Sequence, residues 1–319
     1  MRFKILRKTL KANFSHYDLL FIDEAHRIPK IGLNLKLLID HLPEIRIITT
    51  GSSTISLEKK IGEPLTGRQI KRILYPISVL ELFEQYGGME VHQLLDDLLI
   101  YGSYPDVLLR DSRDEKIEYL HSIRDSYLLK DILELENIKY SSKLLKLLQL
   151  IAFQIGYEVS LNELAKKLQI AKQSVERYLN LLEKAFVIKK VGGFSKNLRT
   201  EITKTARYYF IDNGIRNSII NNFNPLTMRN DIDQLWENFL FSERLKTKEY
   251  LRIFSNDYFW RTYDGKEIDL IEERNGGLFA YEFKYGIAKS KGLKKWKETY
   301  PDSVFETISK ENYLEFLFQ

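Results

Sequence analysis

Leu19-Leu20-Phe21-Ile22-Asp23-Glu24 consists of four apolar residues that lead directly into two carboxylates. A continuous apolar run of this length is typical of a strand that is buried on both faces. Ile45-Arg46-Ile47-Ile48 predicts a second strand, and Leu33–Leu42 between them has the spacing of a helix. Strands that alternate with helices predict a parallel sheet that is covered on both faces.

The two carboxylates at the end of the first strand indicate nucleotide chemistry. In P-loop NTPases the corresponding strand carries an Asp to Mg²⁺ at the carboxyl edge of the sheet. This gives Asp23 a magnesium-binding role and Glu24 the role of polarising the attacking water. Ser52, after the second strand, could bind that water or the γ-phosphate, and Arg68 could serve as an arginine finger. The alternative is that the acids merely end a buried strand and that Arg68 is a surface residue.

The predicted cofactors are therefore ATP and Mg²⁺, but the phosphate-binding motif is absent from the sequence. Gly-x-x-x-x-Gly-Lys-Ser/Thr, whose backbone amides and lysine bind the phosphates, does not occur. Only 18 residues precede Leu19, too few for a strand, a phosphate loop, its helix and a second strand. We therefore expect a truncated chain or an internal start, and we expect no tight ATP binding.

Length and composition exclude several classes of protein. A chain of 319 residues with 44% hydrophobic residues can form two or three packed domains. The absence of cysteine excludes a disulfide scaffold and thiolate zinc sites. No apolar run approaches the roughly 20 residues of a membrane helix, so we expect no membrane partner and a cytoplasmic location. The net charge of +5 permits nucleic-acid binding without requiring it.

The pattern changes twice along the chain, which predicts a multi-domain α/β protein. Residues 1–85 form a partial ATPase core, residues 86–225 are mostly helical, and residues 226–319 return to strands. The three regions are predicted to be a partial P-loop sheet, a helical region with a winged helix-turn-helix, and a C-terminal α/β domain.

A winged helix-turn-helix is predicted in the middle region. Ser160-Leu161-Asn162-Glu163 is a capping box that opens one helix, and a second helix begins near Lys172. Val187–Val191, Gly192-Gly193 and Phe194 then predict a hairpin. The residues that could contact DNA are Lys172, Gln173, Ser174 and Arg177 on the second helix, and Lys189 and Lys190 in the wing. The alternative is a protein-binding module with an ordinary solvated surface.

The C-terminal region carries a nuclease-like set of residues. Asp264-Gly265 and Asn275-Gly276 are turn signals between three predicted strands. Asp269 lies in one strand and Glu282-Phe283-Lys284 in the next, and this pattern resembles the PD-(D/E)xK nuclease core. Asp269, Glu282 and the helical Glu237 would hold Mg²⁺, and Lys284 would act on the attacking water. The alternative is a set of sheet-edge acids with Lys284 as their ion-pair partner.

Taken together, the chain resembles a family of prokaryotic AAA-type ATPases with a C-terminal domain of unknown function. The segments that carry the resemblance are Phe21–Glu24, Thr50–Ser53, Leu65–Arg68, Tyr101–Pro105, Tyr209–Gly214, Trp260–Thr262 and Glu282–Lys284. The resemblance implies that Asp23 coordinates magnesium, that Glu24 is the catalytic base and that Arg68 is a finger candidate. It also implies that several copies of the chain could assemble into a ring.

Three functions remain open from the sequence. The leading one is an ATP-linked, nucleic-acid-associated protein of the AAA type. The second is a Mg²⁺-dependent DNA nuclease in which the ATPase portion is only a scaffold. The third is a DNA- or protein-binding module without catalytic activity.

Overall fold

The computed structural model describes residues 12–14, 16–51, 65, 67–126, 141–195, 205–262, 265–286, 290 and 292–319. The chain divides into two compact units. The first comprises Met1–Arg72 with Lys184–Phe186, and the second comprises Ile73–Glu183 with Val187–Gln319. Across the described residues the architecture is mixed α/β, with parallel strand pairs and many helices.

The first unit contains the predicted pair of parallel strands. Strand β1 (Leu19–Ile22) pairs with β2 (Arg46–Thr49), so that Leu19 lies opposite Arg46 and Ile22 opposite Thr49. Helix α1 (Ile31–His41) connects them. Burial of its apolar side chains, among them Leu35 and Leu38, against the inner face of the pair forms the core of this unit.

Only one face of this strand pair is covered by the described residues. Leu20, Ile22 and Ile47 pack against the core. Leu19, Phe21 and Ile48 point to the other side, and each is about half exposed. The expectation of two covered faces is therefore wrong for the described part of this unit, because successive residues of a strand face opposite sides and α1 occupies one side only.

The second unit contains eleven α-helices within its described residues. Their bounds are α2 (Val79–Tyr86), α3 (Gly88–Tyr101), α4 (Pro105–Leu108), α5 (Arg113–Ile123), α6 (Ser141–Ala152), α7 (Leu161–Leu168), α8 (Lys172–Lys184), α9 (Asn213–Ile220), α10 (Ile232–Leu251), α11 (Leu293–Thr299) and α12 (Tyr313–Phe318). In the parts of the chain that the structure describes, none of the helices has the length and apolarity needed to cross a bilayer.

The start of α7 was predicted from a capping box, and only half of that motif forms. The Ser160 hydroxyl accepts a hydrogen bond from the Glu163 amide at 3.3 Å, as an N-cap should. The Glu163 carboxylate instead pairs with Lys167 one turn later, at 2.6 Å. The helix therefore begins where the sequence predicts, but without the reciprocal bond.

Six strands of the second unit form one sheet. They are β3 (Ile188–Gly193), β4 (Ala206–Phe210), β5 (Asn256–Arg261), β6 (Glu267–Arg274), β7 (Gly277–Phe283) and β8 (Val304–Ile308), in the order β4-β3-β5-β6-β7-β8. The pairs β3–β5 and β7–β8 are parallel, and the others are antiparallel. Strands β3 and β4 come from the predicted middle region, and β5 to β8 come from the predicted C-terminal domain that begins at residue 226. The division into three domains stays a prediction.

Strand β3 belongs to the predicted wing, and it continues through the two glycines at which the sequence predicted the hairpin turn. Gly192 and Gly193 lie inside β3, where Gly192 pairs with both Ala206 and Tyr258. The prediction of a turn at these glycines is therefore wrong, and the antiparallel partner of β3 is β4. Between β6 and β7, in contrast, Asn275 and Gly276 both have positive φ (51° and 75°), as a tight hairpin turn requires.

The two faces of the sheet pack against different helices. Ile268 of β6 and Trp296 of α11 belong to one apolar cluster. Asp269, the next residue along β6, points to the opposite face because side chains alternate along a strand. Helix α10 contacts β4 and β7 on this opposite face. Glu237 of α10 and Asp269 of β6 both contact the guanidinium of Arg207. This face therefore carries the polar cluster described below.

Candidate functional site

The carboxyl edge of β1 and β2 brings three polar groups together. The Thr50 hydroxyl donates a hydrogen bond to Oδ1 of Asp23 and accepts one from the Glu24 amide at 3.1 Å. The backbone continues the parallel ladder, because the Thr50 amide donates to the Ile22 carbonyl at 3.0 Å. Thr50 therefore fixes the orientation of the Asp23 carboxylate, a role that the sequence alone did not predict.

Glu24 adopts a backbone conformation that is uncommon for a residue with a side chain. Its φ of 48° lies in the left-handed region, which turns the chain sharply away from the strand. Its carboxylate lies 3.1 Å from Nδ1 of His26, and about one third of the Glu24 side chain is exposed. Glu24 thus stands beside Asp23 at the edge of the sheet and remains accessible to solvent.

The other two residues predicted for nucleotide chemistry are not seen at this edge. The Arg68 guanidinium forms an ion pair with Asp40 at the end of α1, and both side chains are partly exposed. Ser52 lies outside the described residues. The described part of the predicted ATPase site is therefore Asp23, Glu24 and Thr50.

The residues predicted to bind DNA lie on the exposed side of α8 and in β3. Lys172, Gln173 and Arg177 are exposed and Ser174 is half-buried. Part of the positive charge is offset locally, because Lys172 lies 3.9 Å from Glu176 and Lys189 lies 3.4 Å from Glu183. From Ser160 to Gly193 the chain has seven basic and three acidic residues, so the excess charge of this segment is positive.

The polar cluster on the α10 face of the large sheet is centred on Arg207. The buried guanidinium of this β4 residue lies 3.1 Å from Oε1 of Glu237, 2.8 Å from Oε2 of Glu267 and 3.4 Å from Oδ1 of Asp269. The Tyr209 hydroxyl donates to the same Glu237 oxygen at 2.6 Å. The sequence predicted Glu237 and Asp269 as neighbours, but the arginine between them was not predicted.

Burial controls the protonation of this cluster. Loss of hydration, followed by the charge of Asp269, raises the pKa of Glu237 to about 8, although Arg207 opposes the rise. Burial likewise raises the pKa of Asp269, against the opposing effects of Arg207 and of the hydrogen bond from the Phe283 amide. Burial therefore favours the protonated form of both carboxyl groups, and the Arg207 charge favours the ionised form.

Glu282 in β7 and Lys284, the residue that follows the strand, lie on the same side, as strand alternation predicts. Their side chains form an ion pair at 3.0 Å. Burial alone would lower the pKa of Lys284, but the charges of Asp269 and Glu282 raise it above the usual lysine value. The ammonium group is therefore protonated and suits charge stabilisation rather than proton abstraction.

As arranged, the carboxylates around Arg207 and Lys284 do not form a metal-binding site. Within the described ranges, no three His, Cys, Asp or Glu side chains converge closely enough to hold one. The physical reason is that the Arg207 guanidinium lies between the carboxylates of Glu237 and Asp269 and supplies the positive charge that a cation would otherwise bring.

A second buried polar cluster joins two sequence segments that carry the family resemblance. Asp212 accepts from the Ser103 amide at 2.8 Å and caps α9 through the Ile215 amide at 3.0 Å. Lys246 of α10 donates to the Ser103 hydroxyl at 2.9 Å and to Glu243 at 2.6 Å. The cavity at this junction is too small for a ligand larger than water, so the two segments hold the fold of the second unit together.

Comparison with known proteins places three domain families along the chain. Residues 2–83 match the AAA domain family, residues 92–226 match a domain of unknown function (DUF8612), and residues 233–313 match a domain of unknown function (DUF4143). These matches support a prokaryotic AAA-type ATPase-like protein. No solved structure matches the chain.

Curated relatives match between 66% and 83% of this chain, and their names give no function. An uncharacterized protein of Haemophilus influenzae is 26% identical over 253 residues, which is 76% of this chain and 60% of the relative. An uncharacterized protein of Mycobacterium tuberculosis is 24% identical over 273 residues, 83% of this chain and 58% of the relative. One of Methanocaldococcus jannaschii is 23% identical over 252 residues, 66% and 57% respectively. The chain thus spans less than two thirds of the length of these relatives.

Proposed function

We propose that this chain is the nucleic-acid-handling part of an AAA-type ATPase-like protein, with α8, β3 and β4 as a winged helix that contacts duplex DNA. The observation that carries the proposal is the order of elements around α8. Helices α6, α7 and α8 are followed by the antiparallel pair β3–β4, and a bridge between Val159 and Ala206 adds a third short strand position. This order is that of a winged helix, in which the second helix of the helix-turn-helix enters the major groove.

Charge supports the same proposal. The exposed basic residues of α8 and β3 could contact phosphates, and each phosphate contact releases counterions from the DNA. Lys189 and Lys190 occupy adjacent positions of β3, so their side chains leave opposite faces of the strand. Glu183, which lies near Lys189 and accepts from the Lys190 amide at 3.2 Å, limits the local potential and predicts moderate rather than tight binding.

Fluorescence anisotropy of labelled duplex DNA against salt concentration tests this function. The double substitution Lys189→Ala/Lys190→Ala should reduce the slope of log K against log salt by about 1 to 2. The matched control is Lys36→Ala/Arg46→Ala in the first unit, which removes the same charge and should leave the slope unchanged. Equal slopes for the wing variant and the wild type would overturn the proposal.

The first unit would link nucleic-acid handling to ATP. In this proposal Asp23 would bind Mg²⁺ through the carboxylate that Thr50 orients, and Glu24 would polarise a water molecule. Neither role depends on Arg68, which would have to leave Asp40 before it could serve as a finger. On this proposal the described edge would contribute the magnesium-binding and water-polarising residues of an ATPase site.

Titration with a fluorescent ATP analogue and Mg²⁺ tests this part separately. Without a phosphate loop we expect Mg²⁺-dependent binding no tighter than about 1 mM, or about 4 kcal/mol. Asp23→Asn should abolish the Mg²⁺ dependence. Asp18→Asn makes the same chemical change at the other end of β1 and should have no effect. Binding that is indifferent to Asp23→Asn would show that this edge does not handle nucleotide.

A DNA nuclease is the second candidate, favoured by the order of elements in the C-terminal part. Helix α10, strands β5, β6 and β7, helix α11 and strand β8 follow one another. The layout resembles the PD-(D/E)xK core, with Glu237 on α10, Asp269 on β6, Glu282 on β7 and Lys284 directly after β7. The protonated Lys284 could stabilise the negative charge that develops on a phosphate during cleavage.

Cleavage of single- and double-stranded DNA in Mg²⁺ or Mn²⁺ tests the second candidate. Activity that is lost in Lys284→Ala but kept in the exposed Lys36→Ala would support it. If wild type and variants are all inactive while DNA binding persists, the C-terminal part is a binding platform without catalytic activity.

A further inference from the structure

We propose that α11 is a second DNA-contacting surface, which extends the surface proposed for α8 and β3. This inference rests on the proposed function, because it takes duplex DNA as the partner of both surfaces. The residues that would contact phosphates are Lys294 and Lys295, which are exposed on α11. They belong to a lysine-rich stretch, residues 284–297, which we call the basic segment.

The basic segment accounts for the whole positive charge of the chain. It contains six lysines and no acidic residue. The chain has 49 basic and 44 acidic residues in total, so the residues outside the segment have 43 basic and 44 acidic side chains and a net charge of −1. A positive region in an otherwise nearly neutral chain attracts polyanions to one place.

The charge of the two exposed lysines is little compensated. Among the described residues, no ion pair involves Lys294, and Lys295 lies 3.6 Å from Glu298, with both side chains about half exposed. An exposed pair of this kind contributes little, so Lys295 can exchange Glu298 for a phosphate. The other lysines of the segment contact described neighbours or lie outside the described residues: Lys284 and Lys297, and Lys289 and Lys291, respectively.

The opposite side of α11 is fixed to the large sheet. Trp296 is completely buried, and its ring centroid lies 5.3 Å from that of Trp260 and 4.3 Å from that of Tyr300. Gly292, directly before the helix, lies so close to β6 that a Cβ there would be 2.3 Å from the carbonyl oxygen of Glu267. The lysines therefore stand on a rigid support, which lowers the entropic cost of binding a partner.

The end of the predicted wing packs against the same helix. Phe194, directly after β3, has its ring centroid 6.0 Å from that of Trp296. Lys190 is exposed and precedes Phe194 by four residues, so strand alternation directs its side chain to the same side of the sheet as α11. At about 3.4 Å per strand residue, Lys190 and the α11 lysines are roughly 20–30 Å apart. One duplex of about 20 base pairs, roughly 68 Å long, can contact both.

The shape of α11 favours DNA over an anionic membrane surface. A helix that lies on a bilayer inserts an apolar face between the lipids. The large aromatic side chain of α11, Trp296, is buried against the sheet, and Leu293 is the one large apolar side chain that this fully described helix exposes. The helix thus presents charge without an apolar face, as phosphate contacts require.

Fluorescence anisotropy of a labelled 20-base-pair duplex (about two helical turns) against salt concentration tests the second surface. Lys294→Ala/Lys295→Ala should reduce the slope of log K against log salt by about 1 to 2, and its combination with Lys189→Ala/Lys190→Ala by about 2 to 4. Alanine is well tolerated at exposed helix positions, so the variant should fold. Glu298→Gln removes the acidic neighbour of Lys295 and should tighten binding, a change of opposite sign that misfolding would not produce. Lys36→Ala/Arg46→Ala is again the control.

The outcomes separate this surface from the proposed function. A wild-type slope in Lys294→Ala/Lys295→Ala, with a reduced slope in the wing variant, would overturn the second surface and leave the wing. The reverse result would keep the α11 surface and remove the wing, and wild-type slopes in both variants would overturn both. Vesicles of phosphatidylserine and phosphatidylcholine in equal parts test the alternative partner. Vesicle binding that is lost in the α11 variant while its duplex slope is unchanged would overturn the assignment to DNA.

Discussion

Replacement of Arg244 by Met should destabilise the second unit more than most single substitutions. Nε and Nη2 of Arg244 donate to the two carboxylate oxygens of Glu272 at 2.8 and 2.9 Å, and both side chains are completely buried. Nη1 donates to the carbonyl oxygens of Phe316 and Gln319 at 3.1 and 2.9 Å. The arginine thus joins α10, β6 and the end of α12 through one group.

The size of the effect follows from what the substitution leaves behind. Breaking a buried pair costs about 3–5 kcal/mol, and the lower end applies here because Lys248 and Arg274 remain 3.5 and 3.3 Å from Glu272. The two carbonyls that lose their donor add about 1 kcal/mol. A total of about 4 kcal/mol corresponds to a fall in Tm of roughly 8–16 °C for a unit of this size.

Differential scanning calorimetry measures this change, with Arg261→Met as the control. Arg261 lies 3.0 Å from Glu158, but its side chain is nearly half exposed, so its loss should cost less than about 1 kcal/mol. Arg244→Met/Glu272→Leu should recover part of the stability, because no isolated charge is left in the core. A fall in Tm for Arg244→Met no greater than that for Arg261→Met would refute the reasoning.

Three other substitutions test separate parts of the second unit. Gly156→Ala should destabilise the protein more than Gly265→Ala. Both glycines have φ near +75°, but only at Gly156 would the added Cβ lie 2.6 Å from Oε2 of Glu237. Melting curves of the two variants measure the difference. Ser78→Ala removes the hydroxyl that accepts from the Glu81 amide at the start of α2 and keeps the bond from the residue 78 amide to the Glu81 carboxylate, so it should cost about 1 kcal/mol in chemical denaturation. Burial would raise the pKa of Glu272, but its basic neighbours lower it below the usual value. Its contribution is therefore present above the pKa of an unfolded glutamate, about 4.3, and is lost as pH falls, so the stability advantage of the wild type over Glu272→Gln should shrink on acidification.

Local patterns in the sequence were enough to predict several elements. The apolar runs at Leu19 and Ile45 predicted β1 and β2, because a short apolar run between turn residues favours a strand whatever packs against it. The tight turn at Asn275-Gly276 predicted the β6–β7 hairpin, since two consecutive positive φ values favour these residue types. The placement of Glu282 and Lys284 on one face followed from strand periodicity alone.

Features that depend on distant pairing could not be predicted in this way. Strand β4 was not predicted, and with it Arg207, because Ala206–Phe210 pairs with β3 across a long connection and is buried throughout. Gly192-Gly193 resembled a turn, but the pairing of β3 with β5 keeps the strand extended through both glycines. The contact between Thr50 and Asp23 was not predicted, because only the parallel register of β1 and β2 places the Thr50 hydroxyl against the Asp23 carboxylate.

The central claim, that α8 contacts DNA, is tested most directly by photocrosslinking. A photoreactive phenylalanine analogue at Gln173, on the exposed side of α8, should crosslink duplex DNA in a salt-sensitive manner. The same analogue at Lys36, on the exposed side of α1 in the first unit, serves as the control. We predict a crosslink from Gln173 well above that from Lys36, and equal yields from the two positions would contradict the claim.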